Sequence, residues 1–268
     1  MRARCLALLA TAALLCGIAQ AGQRCDTTPL TPQQARSSLD LAQRAFDALE
    51  RSGAQVAVIG RVGKDLSAYG LRYSHLGIAY REPAAGGGAR WRVLHKLNAC
   101  GTALAGVYRQ GLAEFFLDQP YRYEARIALL DPALQAQLLP GLLSGADLAR
   151  VHEPAYSMVA YAWSDRYQQS NQWVIETLAL LGDPSVANRR QAQLWLQYHG
   201  YLPGTVQISA GQRLAARVGT AHIAFDDHPA HLRYAGQIQT VTADSVFVWL
   251  QRSYPTTRSL ELRAGERL

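Results

Sequence analysis

Two imidazoles set the first chemical question. His75 is followed by Leu76, Gly77 and Ile78; His95 sits between Leu94 and Lys96, with Asn98 three residues on. Both fall in segments that read as strands, 71–80 and 90–97, joined by a Pro/Gly/Ala-rich turn over 82–88. On neighbouring strands the two rings can meet. An imidazole whose second nitrogen is held by a polar neighbour is the usual form of an oriented general base. Gly77 removes a side chain beside His75 and lets another group approach closely. A third candidate is Ser170, in Tyr167-Gln168-Gln169-Ser170-Asn171 at the start of an expected helix over 170–181. Helix N-termini offer free N–H groups and partial positive charge, which favour an alkoxide or an acyl oxyanion. Tyr167 and Gln169 are candidate oxyanion donors beside it, and Asn98 is an alternative to His95 as the orienting group.

These segments, with Leu97–Thr102 and Ala224–Pro229, resemble an uncharacterised family of secreted bacterial proteins. The order of His-x-Gly strand, polar strand and helix-start residue also resembles the circularly permuted papain-like hydrolases, related to cell-wall amidases of the NlpC/P60 kind. That likeness spans 56–181. It implies an α+β fold with an antiparallel sheet packed on helices, and hydrolysis or acyl transfer at an amide or ester. Ser170 would be the nucleophile, where that group has a cysteine; His75 would be the base and His95 or Asn98 the orienting group. A peptidoglycan peptide or other cell-envelope substrate is the implied partner. Serine, unlike a thiol, is not ionised near neutrality and depends wholly on its base. The alternative is a binding or structural envelope protein on the same fold with the chemistry lost.

The elements that must hold these residues follow the hydrophobic pattern. A helix is expected over 31–52, with Pro32 at its first turn, Leu39, Ala42, Phe46 and Leu49 at helical spacing, and Gly53 after it. Strands are expected over 55–62, 71–80, 90–97, 122–130 and 156–163. Helices are expected over 132–144, 170–181 and 188–199, and residues 101–116 read as mixed, with a short helix near Gly111. Further helix and strand signals lie in 214–225 and 236–250. The reading is one α+β domain over 22–268, with a papain-like core over 55–182 and a C-terminal extension over 188–268.

Composition narrows the class. The chain has 268 residues, 49% hydrophobic and 18% charged, which excludes extended disorder and fibrous repeats. Its net charge of +7 is spread out, without a basic block interleaved with aromatics, so nucleic acid is not an expected partner. Arg2 and Arg4, an apolar run from Cys5 to Ile18, and Ala19-Gln20-Ala21 read as a signal peptide cleaved after Ala21, hence export to a periplasm. No later apolar run is long enough to span a bilayer. Cleavage would leave two cysteines, Cys25 and Cys100, expected to form a disulfide closing a loop of about 75 residues. His222, Asp226, Asp227, His228 and His231 suggest metal ligands, but Pro229 makes this turn chemistry instead, and no metal or cofactor is expected.

Overall fold

The computed structural model describes residues 29–265 apart from 119 and 221. The expected signal peptide and Cys25, one end of the expected disulfide, lie outside them. Helix α1 (Pro32–Ser52) opens on a reciprocal cap between Thr31 and Gln34 and stops at Gly53, whose φ of 70° is the left-handed conformation glycine adopts without strain. Its buried stripe is Leu41, Ala42, Ala45, Ala48 and Leu49. The expected stripe members Leu39 and Phe46 are exposed, so the true face is turned from the one the spacing suggested.

Six strands form one antiparallel sheet in the order β4 (Ala105–Gly111), β3 (Ala89–Asn98), β2 (His75–Pro83), β1 (Val56–Val62), β5 (Arg122–Leu129) and β8 (Arg258–Arg263). The C-terminal segment thus returns to the same sheet as its edge strand. Residues 156–163, expected as a strand, make turns tied down by two isolated bridges, Leu104–Ala155 and Tyr161–Thr240. Tyr156, Ala160 and Ala162 of that run are buried by packing without forming a ladder. The segment over 101–116 resolves into β4 and a short helix, α2 (Leu112–Leu117).

The sheet has an apolar layer on each face. One contains α1 and α2, packed on Ala57, Ile59, Ala79, Trp91 and Val93. The other contains α3 (Pro132–Ser144), α4 (Ser170–Gly182), α5 (Arg189–Tyr198) and, after α6 (Ala210–Gly219), α7 (Ala230–Tyr234) and the small β6–β7 pair (Gly204–Gln207, Gln237–Thr240), α8 (Ala243–Ser253). Strand side chains alternate between faces. Val56, Val58, Leu76, Ile78 and Leu94 therefore meet α4, while Gly77 faces α2. Every residue of α4 from Ser170 to Leu180 is buried, which makes it the central helix.

The glycine after His75 has a packing cause. A Cβ on Gly77 would lie 2.5 Å from Val93 Cγ1 and 3.2 Å from the Phe115 ring. Gly77→Ala is therefore expected to destabilise the fold by about 1–3 kcal/mol through overpacking, read from urea unfolding. A neutral result would show that Val93 and Phe115 give way freely.

Candidate functional site

His75 and His95 meet as the strand spacing predicts. Their positions are diagonal across β2 and β3, and His75 Nε2 lies 2.9 Å from His95 Nδ1. His95 Nε2 lies 2.7 Å from Gln110 Oε1, on β4. A carbonyl oxygen can only accept, so His95 Nε2 carries the proton. Neutral His95 then presents a bare Nδ1, which accepts from His75 Nε2–H. The remaining nitrogen of His75, Nδ1, is left unprotonated. The result is a directed chain across three strands, Gln110 to His95 to His75.

Its surroundings are apolar and cationic. The Phe115 ring stands 5.9 Å from the His75 ring and 5.2 Å from the His95 ring. Arg61, buried on β1, places its guanidinium over the same phenylalanine and bonds the Phe115 carbonyl and Asp118. Burial, then the charge of Arg61, then His95, holds the His75 imidazole well below its ordinary value. Burial also pushes His95 down, to about 4, against the opposing bond from Gln110. Both rings are neutral near pH 7 and are members of a packed layer.

Ser170 lies elsewhere. It is the first residue of α4, with Gln169 rather than Ser170 at the N-cap, and α4 packs on the opposite face of the sheet from Phe115. Its hydroxyl is near the buried phenol of Tyr156: burial raises that phenol, and Ser170 partly offsets the rise. Among the described residues no hydrogen bond joins Ser170 to either imidazole. The residue of α4 that does reach β2 is Asn171. β2 pairs with β3 only from Ile78 onward, and Asn171 Oδ1 accepts from the Leu76 N–H at 2.9 Å in the part of β2 before that pairing starts.

The other expected site residues separate likewise. Gln169 Nε2 donates to Thr240 Oγ1 and to the Val241 carbonyl, both at 2.7 Å. The Tyr167 hydroxyl faces Asp226 at 3.5 Å. Asn98, at the end of β3, has a buried Nδ2 with no partner among the described residues and does not bond the imidazoles. Asp227 and His228 form a buried pair at 2.9 Å, and among the described residues no three His, Cys, Asp or Glu side chains gather into a metal site.

What holds the segment before Ser170 is a buried ionic network that the sequence reading missed. The Glu176 carboxylate on α4 accepts from Arg189 Nε at 2.9 Å, Gln193 Nε2 at 2.9 Å, Gln172 Nε2 at 3.1 Å and Gln168 Nε2. Arg189 also donates to the carbonyls of Ser164, Asp165 and Tyr167, fastening that loop. Lys96 Nζ enters from β3, donating to Gln168 Oε1 at 2.7 Å and to the Glu153 carbonyl. Burial, followed by the charge of Arg189, pushes Lys96 down to about 7. The sequence signal was the polar run Gln168–Gln172 entering an otherwise apolar helix. Gln110 and Arg61 gave no such signal, because they belong to strands whose pattern is carried by other residues.

Residues 48–250 match the family described as an uncharacterized protein conserved in bacteria (DUF2145), and the chain belongs to that family. No curated protein matches the chain. No solved structure matches it either.

Proposed function

We propose that this is an exported envelope protein that works by binding rather than by acyl transfer at Ser170. The observation that carries the reading is the separation of the polar groups. The two imidazoles are committed to each other and to Gln110 on one face of the sheet, and Ser170 opens the buried helix that packs on the other. Without a base in contact, a serine hydroxyl is not a nucleophile near neutrality. The order of histidine strand, polar strand and buried central helix supports a permuted papain-like core whose chemistry has been lost. The basic, apolar and small-residue pattern of Arg2–Ala21 supports export to a periplasm.

A second reading, a hydrolase or acyltransferase acting on an amide or ester of the envelope, draws on one feature: the Gln110–His95–His75 chain is built as an orienting relay is. Incubation with a fluorophosphonate probe, followed by mass mapping, separates the two. The binding reading expects Ser170 unmodified. Modification at Ser170 that disappears in His75→Ala would establish the second reading in its place.

A further inference from the structure

We propose that α5, the loop after it and the outer side of α8 form a docking face for an anionic lipid bilayer. The proposal stands whether or not Ser170 reacts. On α5, Arg190, Leu194 and Tyr198 recur every four residues and share one outward stripe, opposite the buried Arg189, Ala192, Gln193 and Leu196. Leu194 is 51% and Tyr198 88% exposed. The chain then turns along α8: Arg252 bonds the Gly200 carbonyl, Tyr201 meets Ser245 at 2.8 Å, and Gly204 abuts Thr242. That path places Leu202, 69% exposed, beside α8, where Val248 (62% exposed) and Arg252 face outward one turn apart.

Rigid aromatics hold the two stripes together. Trp195 stacks on His199 at 3.7 Å and meets Trp249 edge-on at 6.1 Å, and Trp249 Nε1 donates to the His199 carbonyl. The protruding side chains are therefore presented on a fixed support.

Charge chooses the occupant. Residues 184–225 contain no Asp or Glu; Arg189 there is buried against Glu176 and Arg213 and Arg217 lie on α6, so the charge of the face itself is that of Arg190 and, from α8, Arg252. The one carboxylate of α8, Asp244, is engaged by the Arg72 backbone, and Asp183 is taken up by Trp195 Nε1 and Ser185. Four projecting apolar side chains flanked by arginines, with tryptophan and tyrosine at their base, match a headgroup layer: the apolar tips enter the acyl boundary and the guanidiniums meet phosphates. A nucleic acid would instead require a longer basic track.

Co-sedimentation of the full chain with phosphatidylcholine vesicles, with and without phosphatidylglycerol, tests this. Binding is expected only when phosphatidylglycerol is present, and should weaken as salt rises. The surface variant Tyr198→Ser/Leu202→Ser should bind tenfold more weakly or worse while melting like the parent, and Arg190→Gln should flatten the salt dependence. The N-terminal apolar segment is common to all variants, so the difference between them reports on this face. Absence of binding, equal binding to both vesicle types, or variant binding equal to the parent overturns the proposal.

Discussion

Glu176→Ala lowers the unfolding free energy by about 3–5 kcal/mol, the largest effect expected of any polar substitution in this chain. The carboxylate is fully buried and is the shared acceptor for Arg189, Gln168, Gln172 and Gln193. Its removal leaves a buried guanidinium without its counter-charge and three amides short of an acceptor. It also removes the charge that offsets Arg189 at Lys96, so the lysine is pushed further toward its neutral form. Glu176→Gln keeps the shape and removes only the charge, so it should fall between the parent and the alanine variant. Urea unfolding of the three chains measures the series. A loss below about 1 kcal/mol for Glu176→Ala would mean that the network is hydrated and that its members re-pair with water.

Stability should also rise steeply between about pH 4 and pH 6.5. His95 is held near 4 by burial, and His75 is held well below its ordinary value by burial and Arg61. A histidine whose folded value lies below its unfolded one leaves the unfolded chain holding more protons in that window. The unfolding free energy therefore grows with pH through the window; above 6.5 the imidazoles add nothing more, and a separate rise in alkaline solution belongs to Lys96, held at about 7. His95 alone contributes roughly 3 kcal/mol to that rise, at 1.36 kcal/mol for each unit of its displacement from 6.5 to about 4. Carboxylates held low by their partners, such as Glu82 beside Arg92 and Arg90, act in more acidic solution and do not account for this window. Denaturant midpoints across the range, for the parent and for His95→Gln, measure it. The variant should show a clearly shallower rise. An identical slope in both would place the titrating groups elsewhere.

Much of this architecture is legible in the sequence, and its physical reasons show why the rest is not. Thr31, Pro32 and Gly53 bracket α1 by local capping chemistry, so that helix is placed almost to the residue. The pairing of His75 with His95 follows from two strands and one turn. The run over 156–163 fails as a strand because composition reports burial, not ladder partners: its backbone is spent on turns and two bridges. The edge strand β8 depends on a return across the whole domain to β5, which no local pattern encodes. The position of Ser170 is misjudged for a related reason. Order along the chain placed a serine at a helix start near a histidine strand, but the face on which that helix packs is set by the parity of the strand residues. Leu76 and Leu94 turn towards α4, whereas His75 and His95 turn towards Phe115.

That parity is open to a direct measurement. Double-mutant cycles in urea, pairing Ser170→Ala with His75→Ala and His95→Ala with His75→Ala, report which groups share interaction energy. The imidazole pair should be coupled by 1 kcal/mol or more, in the ~0.5–3 kcal/mol range of residues in direct contact, and the serine and His75 additive within ~0.5 kcal/mol. Coupling above ~1 kcal/mol between Ser170 and His75 would contradict the account, joining hydroxyl and imidazole in one unit across the sheet.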